Sequence, residues 1–137
     1  QGKKGPQNLT SSRRVVVDTS VILEDLLDLP LATRCRAAMK GAEANIPSIA
    51  HYEILKKLLT KLPVQDALEA TTSALMAYKN IAITPRLSME AAYLAHSHKL
   101  GMADALFLAT AHQERATLLT LDNDFAALPG VSVIRSS

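Results

Sequence analysis

Three consecutive β-branched residues, Val15-Val16-Val17, run straight into Asp18. A triplet that is apolar in both directions suits a strand buried on both faces. Such a strand needs helices on either side of its sheet, and this constrains the rest of the chain. The sequence supplies them. Residues 21–29 have helical spacing and stop before Pro30, and residues 31–40 form a second helix ending at Gly41, a good C-terminal stop. Asn45-Ile46-Pro47 reads as a short apolar link or a brief strand. Ser48 then caps a helix running to Leu62 before Pro63, and residues 65–79 form another. Ile81-Ala82-Ile83 is a short strand before Pro85, and residues 88–99 are a helix closed by Leu100-Gly101. Residues 103–114 are apolar almost all round the helix, which implies burial on several sides. Residues 117–121 and 131–134 are the last strands. This alternation predicts an α/β chain, a three-layer α/β/α sandwich around a mostly parallel sheet.

At 137 residues there is room for one core. With 48% hydrophobic and 20% charged residues the chain is globular rather than disordered. No stretch approaches the ~18 apolar residues that a membrane span needs, so no membrane contact is expected. A single cysteine, Cys35, excludes an internal disulfide and a cysteine-built zinc site. With no apolar leader segment near the start, an intracellular, cytoplasmic setting is expected. The formal charge is +2, but residues 1–12 hold Lys3 and Lys4 and no acid. They read as a disordered tail or an expression remnant. Without those two lysines the 15 basic residues fall to 13, matching 13 acids, so residues 13–137 form one neutral domain. The global basic signature of many nucleic-acid binders is absent, and nucleic-acid contact would need a local patch or a metal. Only Tyr52, Tyr78, Tyr93, Phe107 and Phe125 are aromatic, which argues against a base-stacking platform.

In open parallel sheets ligands bind outside the carboxyl ends of the strands. Asp18 stands at one such end, and Asp122 and Asp124 at another. Each also fits ordinary turn or helix-capping chemistry. Asp104 is the only charged residue between Gly101 and His112. It sits in a first helical turn, where the dipole favours an acid, but the helix is buried, so the acid is expected to face a cleft. Glu53 lies nearly opposite the stripe of Leu55, Leu58, Leu59 and Leu62, so periodicity predicts that it is solvent-exposed. His96 and His98 point to different sides of a helix, and His51 and His112 are isolated, so no histidine is assigned as a ligand. Cys35, between Arg34 and Arg36, is either a half-buried thiol or one with a lowered pKa.

Taken in order, four segments resemble the motifs of the PIN-domain ribonucleases. They are Val15-Val16-Val17-Asp18-Thr19-Ser20, Tyr52-Glu53, Gly101-Met102-Ala103-Asp104-Ala105 and Thr120-Leu121-Asp122-Asn123-Asp124-Phe125. The resemblance spans residues 14–134, and the length is similar to that of the single-domain VapC-like toxins of type II toxin–antitoxin pairs. It implies a sandwich whose acids meet at one edge of the sheet. Asp18, Glu53, Asp104 and Asp122 would be catalytic, with Mg²⁺ or Mn²⁺ held by Asp18, Asp104 and Asp122. Asp124 would be auxiliary, and whether it or Asp122 is the principal ligand stays open. Ser20 and Thr120 match hydroxyl positions that orient the acids or their water. The implied activity is metal-dependent endoribonuclease, with RNA as substrate, a cognate antitoxin as partner and a homodimer as assembly. Hard divalent cations take oxygen ligands, and such a metal activates water and neutralises charge on a phosphate.

Arg13, Arg14, Lys56, Lys57 and Arg86 are candidates for holding RNA, and each is equally a plain surface charge. Leu55, Leu58, Leu59, Leu62, Leu68, Leu75 and Met76 are candidates for a shared apolar surface in a dimer. Two other acidic-site classes fit less well. A haloacid-dehalogenase phosphatase would need its second Asp where Ser20 stands, and a receiver domain would need an Asp after Asn45-Ile46-Pro47. The remaining alternative is a PIN-like scaffold that binds protein or RNA without catalysis, against which stand the four filled acid positions.

Overall fold

The computed structural model describes residues 13–136, so the expected tail at 1–12 lies outside the described residues. Five strands form one sheet: β1 (Arg14–Val17), β2 (Glu43–Pro47), β3 (Lys79–Ile81), β4 (Thr117–Thr120) and β5 (Val131–Val133). Their order is β3-β2-β1-β4-β5 and every pairing is parallel. The valine triplet is the centre of this sheet. Val16 is in register with Asn45 on one side and Leu118 on the other, and Val15, Val16 and Val17 are fully buried.

Six helices cover the two faces: α1 (Thr19–Leu26), α2 (Ala32–Met39), α3 (Ile49–Leu58), α4 (Val64–Leu75), α5 (Pro85–His98) and α6 (Met102–Glu114). Helix α6 packs on β1, β2 and β4, with α5 against it. Its residues 105–111 are all buried, as an all-round apolar helix requires. The one hydroxyl in that run, Thr110, donates to the Leu106 carbonyl at 2.7 Å. Helix α1 packs on β4 and α3, while α2 lies against α1 and α4 against α3. No helix among the described residues is long and apolar enough to cross a membrane.

The expected element boundaries need correction in several places. The helix expected at 21–29 is Thr19–Leu26, the one expected at 65–79 is Val64–Leu75, and the strand expected at 81–83 is Lys79–Ile81. Helix α3 ends at Leu58, four residues early, and Leu59 and Leu62 are exposed in the turn before Pro63. The buried stripe of α3 is Ala50, Ile54 and Leu58, spaced by four. Of the residues proposed for a dimer surface, Leu58 and Leu75 therefore belong to the core, and Leu55 is half-buried against it. Helix α5 begins at Pro85 rather than Ser88, because the Thr84 hydroxyl accepts from the Leu87 N–H at 3.1 Å and proline suits the first helical position. That helix closes on Lys99, at φ +56°, and Gly101 instead occupies the N-cap of α6.

Candidate active site

The carboxyl ends of β1 and β4 lie side by side, and the site grows from that junction. Asp18 follows β1, at the N-cap position of α1, yet its side chain caps nothing. Only 7% of the residue is exposed. Oδ2 accepts from the Ser20 hydroxyl at 2.7 Å and from the Thr120 hydroxyl at 2.8 Å. Both hydroxyls in turn accept backbone N–H groups from the end of β4. Leu121 N–H donates to Ser20 Oγ at 3.1 Å, and Asp122 N–H donates to Thr120 Oγ1 at 3.0 Å. The two strand ends are thus joined through a buried carboxylate by hydrogen bonds that its charge strengthens.

Asp122 uses Oδ1 to accept the Asp124 N–H at 2.9 Å, so it does perform the turn chemistry its Asp-Asn-Asp setting suggested. It is half-buried, whereas Asp124 is exposed. Glu53 is not the solvent-facing residue that periodicity predicted. With the true α3 stripe at Ala50, Ile54 and Leu58, Glu53 lies on its flank and is half-buried. Its Oε1 accepts from the Thr19 hydroxyl at 2.6 Å. Thr19 is a site neighbour that the sequence reading passed over. The signal was a second hydroxyl beside Asp18, in the first turn of a helix that starts at a strand end.

Asp104 lies in the first turn of α6. Burial first, and then the charges of Asp18, Asp122, Glu53 and Asp124, push its carboxyl up from 3.8 to about 6. All five acids therefore share one electrostatic neighbourhood. A cleft of about 440 Å³ opens over three of them, lined by Asp18, Thr19, Ser20, Glu53 and Asp104, and by Leu23, Tyr52, Lys56, Lys57 and Thr60. Among the described residues, no three acidic, histidine or cysteine side chains already enclose a metal position. The donor set, carboxylate and hydroxyl oxygens without thiolate or imidazole, is that of a hard divalent cation. The mutual repulsion that lifts Asp104 is what such a cation would relieve.

The structure separates the candidate basic residues. Lys56 and Lys57 line the cleft. Arg13 and Arg14 do not approach it, since they stand at the start of β1, at the opposite end of the sheet. Arg13 donates to the Ala38 and Lys40 carbonyls at 3.0 and 3.3 Å. Arg14 donates to the Glu114 carbonyl at 3.2 Å and pairs with Glu43 at 3.5 Å. Arg86 is exposed in the first turn of α5 and is not part of the cleft lining. Cys35 is a fully buried core thiol, and burial, with Glu24 and Asp25 nearby, raises its pKa to about 11. The lowered pKa that its arginine neighbours suggested is therefore corrected, because desolvation outweighs Arg36.

A parallel sheet that gathers acids where its two central strands end defines a class of α/β proteins that meet their ligands at that edge. The sequence matches the PIN domain over residues 15–131, and the chain belongs to that family. The fold is similar to that of solved toxin–antitoxin proteins. A toxin–antitoxin complex from Klebsiella pneumoniae contains a chain 26% identical, with a TM-score of 0.74 over 90% of this chain and 99% of that one. VapBC2 from Rickettsia felis, bound to a fragment of its promoter DNA, is 15% identical with a TM-score of 0.72, covering 89% of this chain and 99% of its counterpart. VapC20 from Mycobacterium tuberculosis, a toxin that cleaves the sarcin–ricin loop, is 19% identical with a TM-score of 0.71, covering 88% and 99%. No curated protein matches the sequence.

Proposed function

We propose that the protein is a metal-dependent endoribonuclease and the toxin of a toxin–antitoxin pair. The observation that carries this is the convergence of Asp18, Glu53, Asp104, Asp122 and Asp124 on one neighbourhood, from four separate stretches of the chain. Asp18, Asp104 and Asp122 would hold Mg²⁺ or Mn²⁺, with Asp124 in support. Such a cation supplies a water of lowered pKa and neutralises charge gathering on the phosphate.

The chain's own groups have distinct tasks. Ser20 and Thr120 fix the orientation of the Asp18 carboxylate, because both donate to Oδ2. Thr19 fixes Glu53 through Oε1, which leaves Oε2 to take a proton from the attacking water. Lys57, on the cleft wall, meets the phosphate backbone.

Total RNA incubated with the protein is expected to be cut at discrete positions in Mg²⁺ or Mn²⁺ and left intact in EDTA. Asp18→Asn and Glu53→Gln are each expected to slow cleavage by about 100-fold or more, the range for losing a metal ligand or a general base. Intact RNA in both metals, with RNA still bound, would instead favour a scaffold. Arg13→Ala should cut at the wild-type rate, whereas Lys57→Ala should raise KM about fivefold and flatten its salt dependence by about one charge. Equal effects of the two substitutions would contradict the placement of the phosphate path.

The K. pneumoniae and R. felis neighbours support an antitoxin as the protein partner. The assembly is proposed to be a homodimer. Leu59, Leu62, Val64, Leu68 and Met76 remain exposed along the turn after α3 and along α4, a patch that pairing would cover. Light scattering at micromolar concentration is expected to give twice the 14.8 kDa chain mass. A single-chain mass would rule the dimer out at that concentration.

A further inference from the structure

Tyr52 and Lys56 are four residues apart on α3, and the Lys56 ammonium lies over the Tyr52 ring, 5.5 Å from its centroid. Both line the cleft that holds Asp18, Glu53 and Asp104. Tyr52 is 60% exposed, so its ring contributes little to the core. Among the described residues, no hydrogen bond to its hydroxyl explains its presence there either. The ring precedes Glu53 in the chain, which sets an aromatic face and a cation directly beside the acids.

An exposed ring next to an ammonium, at the edge of a cleft, is the pair of features that holds a nucleotide outside a helix. The π-face away from the ammonium takes the base, and the cation takes the adjoining phosphate. We propose that Tyr52 stacks the base next to the bond being cut, with Lys56 on its phosphate, so that the substrate is unpaired at that position. In an A-form duplex the bases are already stacked on one another and offer no free face. A cleft of about 440 Å³ is also small against the width of a duplex. The scarcity of aromatics in the composition does not oppose this, because one ring in the right place is sufficient. The position of the cut bond rests on the nuclease reading above, but the stacking itself does not.

The test uses five-nucleotide single-stranded RNAs of mixed sequence, carrying 2-aminopurine at successive positions. They are titrated in Mg²⁺ against Asp104→Asn, in which cleavage is suppressed. At least one position is expected to be quenched on binding. Adding Tyr52→Leu should remove that quench and weaken binding by about 5- to 30-fold, the equivalent of about 1–2 kcal/mol. Tyr52→Phe should keep both. Lys56→Gln should keep the quench while lowering the salt slope by about one. Circular dichroism checks that each variant is folded. A Tyr52→Leu protein that binds and quenches like its parent overturns the proposal and leaves Tyr52 to a protein partner. A duplex of the same sequence that binds as tightly as the single strand also overturns it. Wild-type protein that cuts no RNA, yet gives a Tyr52-dependent quench, sinks the nuclease reading and sustains this one. Cleavage and binding both indifferent to Tyr52→Leu do the reverse.

Discussion

Asp104→Asn is expected to abolish RNA cleavage and yet to melt at a higher temperature than the wild type in EDTA. The Asp104 carboxyl is lifted from 3.8 to about 6 in the folded chain. Between those values the folded state keeps a proton that the unfolded state has lost. The contribution of this carboxyl to wild-type stability is therefore greatest below about pH 4, is lost as pH rises from there through about 6, and stays absent above. An asparagine has no such proton, so this part of the variant's pH dependence vanishes. At pH 7.5 the variant should be more stable by about 1–2 kcal/mol, after discounting for the solvent-exposed part of the carboxyl. For a domain of this size that is about 3–10 °C in Tm. In saturating Mg²⁺ the gap should narrow or reverse, because the wild type gains binding energy that the variant partly lacks. Melting curves at pH 4 and 7.5, in EDTA and in Mg²⁺, measure all of this without knowledge of the RNA target. A metal-independent loss of about 1 kcal/mol would mean that Asp104 merely stabilises the start of α6.

Thr120→Val should be the most damaging single-atom change near the site. The two side chains have nearly the same shape, and Thr120 is fully buried. Valine removes the donor to Asp18 Oδ2 and, in the same stroke, the acceptor for the Asp122 N–H. A buried carboxylate and a backbone N–H both lose a partner at a place water reaches poorly. The expected cost is about 2–4 kcal/mol. Thr120→Ser, which keeps the oxygen, should retain most of the stability and activity. Ser20→Ala should cost only about 1 kcal/mol, because Ser20 is half-buried and water can replace its hydroxyl. Urea denaturation of the three variants measures the ranking. Equal stabilities for Thr120→Val and wild type would show that the bridge between the strand ends contributes nothing.

Much of this architecture was legible because burial leaves a strong mark on sequence. The valine triplet announced a central strand, and the lone acid in the apolar run of residues 103–111 announced a cleft. Glu53 was not legible from periodicity, because its neighbours mislead. The leucines at 55, 58, 59 and 62 look like one stripe, yet Leu59 and Leu62 lie beyond the helix and the true stripe includes the small Ala50. Only the resemblance to a family pattern pointed to it. Arg13 and Arg14 misled in another way. They are near Asp18 in sequence, but four residues of strand carry the chain about 13 Å, to the other end of the sheet. Composition is silent on Tyr52, since a count of aromatic rings says nothing of where any one of them stands.

The hydrogen bond from Thr120 to Asp18 joins residues 102 apart in sequence, across the pairing of β1 with β4. Parallel pairing over such a distance closes a long loop and so forms late. A chain still emerging from the ribosome carries Asp18, Glu53 and Asp104 with nothing yet to fix them. The proposed site is completed only when residues 117–122 have left the tunnel and found the first strand. On the nuclease reading, a nascent chain that stops short of residue 117 lacks the junction that would orient its acids. The long reach of one hydroxyl thus delays the proposed activity until both sides of the sheet junction exist.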